Sequence, residues 1–120
     1  MTYSADDVAA LLPLPTPTFH ILIALADGER HGYAILQDIE ARTSGAVRMS
    51  AGTLYRAIQR LVEEGVIVEV AKRPAKLLDD ERRRYYRLTQ FGLAVARAET
   101  ARLQEMVKFA HAVGLTPRHA

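Results

Sequence analysis

In 120 residues the chain carries 49% hydrophobic and 25% charged side chains, the balance of one compact globular domain rather than of a disordered segment. The absence of cysteine excludes disulfide frameworks and thiolate zinc sites, no run approaches the roughly 20 apolar residues of a bilayer span, and Asp6 and Asp7 stand where a secretory signal needs basic residues, so a cytoplasmic protein without membrane contact is expected. The formal net charge of +2 divides unevenly, as −5 over residues 1–41, +5 over 42–87 and +2 over 88–120, so any anionic partner should meet the middle of the chain.

Ser4, Asp6 and Asp7 ahead of Val8, Leu11 and Leu12 predict a short capped amphipathic helix that ends before Pro13. Pro13, Pro15 and Pro17 predict an extended connection. From Thr18 the run FHILIALAD is apolar nearly all round, which predicts a buried helix closed by Asp27 and Gly28. The next helix opens near Gly32, turns Ile35, Leu36 and Ile39 inward and Gln37, Asp38 and Glu40 outward, and ends at Gly45. Ser50 is an N-cap for a helix running to Glu64, in which Leu54, Ile58, Leu61 and Val62 fall at i, i+4, i+7 and i+8; Gly65 closes it. VIVEVA at 66–71 and RRYYRL at 83–88 are β-forming runs joined by a charged stretch from Lys72 to Glu81, the pattern of a hairpin. Thr89 then caps a long helix to about Val113, followed by a frayed tail.

Three helices followed by a hairpin is the order of a winged helix-turn-helix, whose third helix enters the major groove of DNA. The expected fold is mainly α with a small β-hairpin: an N-terminal helix and winged helix-turn-helix over 1–88, and a C-terminal dimerisation helix with its tail over 89–120. On that last helix Ala96, Leu103, Met106, Val107, Ala110 and Val113 fall mainly on one face. A helix extending so far beyond a small domain has little of its own chain to pack on, and a second copy would cover it.

At 100° per residue the helix begun by Ser50 turns Gly52, Thr53, Arg56, Gln59 and Arg60 away from its apolar side. Arg reads guanine and Gln adenine, while Ser50, Thr53 and the backbone at the helix start suit phosphates. Tyr55 lies at the border of the two arcs, suited either to the core or to a phosphate. Tyr33, following His31 and Gly32, has the same two readings. The hairpin loop and second strand add Lys72, Arg73, Lys76 and Arg84 with Arg82, Arg83 and Arg87, the composition of a loop that tracks a phosphate backbone or of a solvated basic loop. Asp79, Asp80 and Glu81 form a turn or pair with these arginines rather than hold a metal. The scattered histidines His20, His31, His111 and His119 accompany no nucleophile motif and no phosphate loop, so neither catalysis nor a cofactor is expected; His20 reads as a satisfied core or interface residue.

The segments ALADGERHGYAILQDIE, SAGTLYRAIQRLVEEGVI and DERRRYYRLTQFG, in this order, resemble the PadR-like transcriptional regulators over about residues 17–92. GTLY at 52–55 and RRYYRLT at 83–89 are the most specific parts. The resemblance implies a short-type repressor with a single C-terminal helix that packs on the partner's N-terminal region, giving Val8, Leu11 and Leu12 a share in the dimer. It also implies DNA contacts from Tyr33, Thr53, Tyr55 and the wing arginines. Ala51 stands where the family often has Pro. Some small members hold flat aromatic ligands between tryptophans at the dimer centre, and this chain has no tryptophan. Phe19, Phe91, Met106 and Phe109 could line an effector pocket instead, or serve as plain interface core. The function expected is sequence-specific regulation of transcription by a homodimer on a palindromic operator, released by a small aromatic effector. The alternative is a winged-helix module that binds RNA or an acidic protein.

Overall fold

The computed structural model describes residues 2–70 and 84–117. Helix α1 (Ala5–Ala9) begins with a reciprocal capping box: Ser4 Oγ accepts from the Asp7 N–H at 3.1 Å, and the Asp7 carboxylate accepts from the Ser4 N–H at 2.8 Å. Helix α2 (Thr16–Ala26) starts two residues earlier than expected. Pro17 lies in its first turn, where a missing N–H leaves no bond unmade, so the extended connection ends at Pro15. The remaining elements are β1 (Arg30–His31), α3 (Gly32–Arg42), α4 (Ala51–Glu63), β2 (Ile67–Val70), β3 (Tyr85–Leu88) and α5 (Gln90–Ala112).

The expected hairpin is part of a three-stranded antiparallel sheet in the order β1-β3-β2. Ile67 pairs with Leu88 and Val70 with Tyr85 on one side of β3, while Arg30 pairs with Tyr86 on the other. Arg30 is fixed as a strut in this arrangement: its Nε donates to the Ala24 carbonyl at 2.8 Å, and its guanidinium lies 3.6 Å from both Asp27 and Asp38. Ile21, Leu22 and Leu25 of α2 meet Ile35 and Ile39 of α3, Leu54, Ile58 and Leu61 of α4, and Val95 of α5 in one core. Nδ1 of half-buried His20, expected to be satisfied, has no hydrogen-bond partner among the described residues.

Helix α5, expected to have little of its own chain to pack on, divides into a packed and an open half. Its first half packs on α1, α2 and β3 and buries Gly92, Val95 and Glu99. Val8, Leu11 and Leu12, assigned to a dimer, are half-buried against the core of their own chain, and Leu103 is half-buried too. The unpartnered surface begins a turn later: Met106, Val107, Phe109 and Val113 are 49%, 67%, 63% and 73% exposed, with Ala110 half-buried between them.

Two polar joints fix α5 to the rest. Thr89 Oγ1 accepts from the Gly92 N–H at 2.9 Å and reaches the Gly65 carbonyl at 2.7 Å and the Val66 carbonyl at 3.1 Å, tying the helix start to the end of α4. Glu99, only 2% exposed, accepts from the Leu14 N–H at 3.3 Å and from Arg102 at 2.7 and 2.9 Å. These bonds, led by those from Arg102, outweigh burial and hold the Glu99 carboxyl below the usual carboxylate range.

Candidate nucleic-acid interface

Helix α4 has the strongest division of faces. Leu54, Ile58 and Leu61 are buried, while Gly52, Thr53, Arg56, Gln59 and Arg60 are all exposed, which is the arc expected from the periodicity, and Tyr55 at its border is exposed with them. Ser50 Oγ accepts from the Thr53 N–H at 3.1 Å and lies 3.0 Å from Thr53 Oγ1; Arg56 Nη2 donates to that same Thr53 oxygen at 3.4 Å. Ser50 therefore caps the helix, and the chain of hydroxyls runs on to orient the Arg56 guanidinium. Among the described residues Arg56 has no carboxylate partner.

Helix α3 presents its N-terminus beside this face. His31 is its N-cap, with Nδ1 accepting from the Ala34 N–H at 3.1 Å and its ring set edge-on to Tyr85 at 5.3 Å. Sequence reasoning gave His31 no role, although its place directly before Gly32 was the available signal. Tyr33 follows at 57% exposure. The Tyr55 ring, 47% exposed, lies over Gly32: a Cβ there would stand 2.6 Å from Tyr55 Cζ and closer still to the hydroxyl. One side of the Tyr55 ring thus packs on the start of α3, as the core reading expects, while the other faces solvent.

The described part of the wing stands across a cleft of about 510 Å³, lined by Tyr55, Ile58, Gln59 and Val62 of α4 and by Glu69, Arg84 and Tyr86. Register explains this grouping. Glu69 is opposite Tyr86, and Arg84 is two residues before it, so all three fall on one face of the sheet. Arg84 Nη1 lies 3.3 Å from Glu69 Oε1, and burial, helped by the Glu69 charge, raises the Tyr86 phenol above its usual range and keeps it protonated. Lys72, Arg73 and Lys76, with Arg82, Arg83 and the acidic run 79–81, lie outside the described residues. Arg48, to which the sequence reading gave no role, lies in the segment between α3 and α4, 3.4 Å from Glu40.

The candidate effector residues do not converge in one chain. Phe91 packs against the core with its ring 5.2 Å from that of Tyr3, and Phe19 is half-buried on α2, whereas Met106 and Phe109 are exposed on the far half of α5. Among the described residues no group of His, Asp or Glu could hold a metal, and no helix is long and apolar enough to cross a membrane.

The sequence model of the transcriptional regulator PadR-like family matches residues 21–98, which include α3, α4, both wing strands and the start of α5. A transcriptional regulator of Mycobacterium tuberculosis is 33% identical over 89 residues, 74% of this chain and 77% of that protein. A transcriptional regulator from Clostridium thermocellum shares the fold at TM-score 0.65 and 24% identity, covering 96% of this chain and 100% of the other. Bacillus subtilis PadR in complex with operator DNA does so at TM-score 0.58 and 22% identity, covering 70% of this chain and 47% of that one. With the family's sequence matched over most of its length and its helices and wing in the same order, the chain belongs to the PadR-like family of transcriptional regulators.

Proposed function

We propose that this regulator is a repressor that binds a palindromic operator as a homodimer, reading base edges with α4 and tracking the flanking phosphates with the wing. The observation that carries the reading is the exposed arc Gly52, Thr53, Tyr55, Arg56, Gln59 and Arg60, in which Arg56 is held out by the Thr53 hydroxyl and, among the described residues, meets no carboxylate. Tyr33, Ser50 and the wing cations Lys72, Arg73, Lys76 and Arg84 supply positioning contacts to the backbone. The exposed apolar half of α5, from Met106 to Val113, supports the dimer: a two-fold axis through it would present two copies of α4 to two half-sites, hence a palindrome. The complex of Bacillus subtilis PadR with operator DNA supports the same use of the shared fold.

Release by a small aromatic effector belongs to the same reading, with Met106 and Phe109 as the residues exposed to meet it at the dimer centre. A calorimetric screen of planar aromatic compounds that gives neither heat nor a change in DNA affinity removes that part alone.

The deciding experiment is a set of binding isotherms on a selected operator duplex and a scrambled one. Arg56→Ala is expected to cost on the order of 1–3 kcal/mol on the operator and to relax discrimination. An unchanged specific affinity in a folded dimer would mean that α4 is not the reading head.

A further inference from the structure

The cations around α4 differ in one respect that their exposure alone does not reveal. Arg56, on the exposed arc, is free of carboxylates among the described residues, but two other exposed arginines, Arg84 of the wing and Arg48 in the segment before α4, are each held by one. Arg84 lies 3.3 Å from Glu69 on the wing face that looks onto α4, and Arg48 lies 3.4 Å from Glu40 at the other edge, where α3 meets the approach to α4. Neither pair is needed to hold its element. The β2–β3 register is set by the backbone ladder from Ile67 to Val70, and the end of α3 is closed by its own backbone bonds and by Asp38, which lies 2.6 Å from Arg42. Both pairs are exposed to water on both partners, which makes them weak and readily exchanged.

We propose that Glu69 and Glu40 are specificity-determining residues, which keep non-operator DNA weakly held by competing with phosphate for Arg84 and Arg48. The inference rests on the DNA-binding reading and adds to it a residue class that reading does not use. Non-operator DNA is bound almost wholly through phosphate charge, so a carboxylate that neutralises an arginine and repels the incoming phosphate acts directly on that mode. On a fitted operator the docked α4 holds the backbone in place, and a well-aligned phosphate displaces the carboxylate. Non-operator affinity therefore falls more than operator affinity does.

The test compares wild type, Glu69→Gln, Glu40→Gln and the charge control Asp6→Asn, whose residue lies on α1 against α5. Each is titrated, over a salt series, with a mixed-sequence duplex and with a duplex selected from a random pool by the wild-type protein. Glu69→Gln and Glu40→Gln are expected to raise mixed-sequence affinity roughly two- to fivefold per protomer, the fold-change of a surface ion pair, while the selected duplex changes less. The salt dependence should steepen by up to about one unit of slope per protomer. In an Arg84→Ala background the Glu69→Gln gain should shrink to that of Asp6→Asn. The Gln side chain keeps the shape of Glu, and equal melting temperatures establish that the folds are equal. A gain no larger than that of Asp6→Asn, or one that persists undiminished without Arg84, overturns the proposal while leaving the DNA-binding reading intact. Absence of saturable DNA binding by the wild type overturns both.

Discussion

Two helical glycines in this chain should respond in opposite directions to the same substitution. In a solvated helix Gly→Ala is worth roughly 1 kcal/mol in favour of folding, because alanine loses less backbone entropy. At Gly92, in the first turns of α5, a Cβ would stand 2.9 Å from the Val66 carbonyl carbon and closer still to its oxygen, inside the roughly 3.5 Å of ordinary carbon contact. The obstacle is backbone, and that carbonyl also accepts from the Thr89 N–H at 3.1 Å, so relief means prising α5 from the end of α4. Overpacking of this kind costs about 1–3 kcal/mol, and losing the Thr89 bonds adds about 1 kcal/mol each, which exceeds the propensity gain. Gly92→Ala is thus expected to destabilise by about 2–4 kcal/mol, a fall in Tm on the order of 10 °C for a chain of this size. At Gly52 the nearest atom to a Cβ is Arg56 Nη1 at 3.5 Å, so Gly52→Ala should leave Tm level or slightly raised while weakening operator binding, since the side chain would stand between α4 and DNA. Calorimetric melts at one protomer concentration, with operator titrations, read both. A Gly92→Ala protein that melts with wild type would refute the contact between α5 and Val66, and a Gly52→Ala protein with full operator affinity would show that the arc does not touch DNA.

Three further outcomes are expected. His31→Ala should cost about 1 kcal/mol, because it removes the cap from α3, and His31→Asn should restore most of it; equal urea midpoints for all three proteins would contradict the capping role. The Glu99 carboxyl sits below its ordinary value of 4.5, so the stability it lends is complete above that pH and is lost as pH falls through the lower folded value. Glu99→Gln should therefore melt lower than wild type at neutral pH and converge with it in acid, and a constant difference across the acid limb would argue against the Arg102 pairing. Phe109→Asp or Val107→Asp, at positions exposed in the single chain, should yield a folded monomer near the chain mass of 13.3 kDa by light scattering; a dimer in both would place the interface elsewhere.

The α4 arc was legible because a single period of 3.6 governs both its burial and its chemistry, and the Ser50 and Thr89 caps because a hydroxyl before a helix has few other uses. What escaped depends on contacts between distant residues. A two-residue strand such as β1 cannot alternate, and it exists only through its pairing with β3. Glu99 reads as solvated in any local window; it is buried because the Leu14 N–H, 85 residues away, needs an acceptor and Arg102 supplies the countercharge. Pro17 suggested extension because proline breaks helix interiors, and the first-turn exception depends on where the helix begins. The apolar stripe of α5 was visible, but its division into a half packed inside the chain and a half left open is a tertiary fact.

That division has a mechanical consequence for regulation. Just past the end of α4, the Gly65 and Val66 carbonyls receive Thr89, and Gly92 packs on that of Val66, so the start of the proposed dimer helix is bonded directly to the end of the proposed reading helix. With 23 residues, α5 is about 35 Å long, and a rotation of about 5° about its partner would carry a reading head through roughly 3 Å, close to the rise of one base pair. In the proposed dimer, a ligand that alters packing around Met106 and Phe109 need not touch the arc to weaken binding; it has only to change the distance between the two arcs. Its effect should then appear as a shift in the preferred half-site spacing, with base discrimination by Arg56 unchanged, because the Ser50, Thr53 and Arg56 chain lies wholly within one rigid helix start.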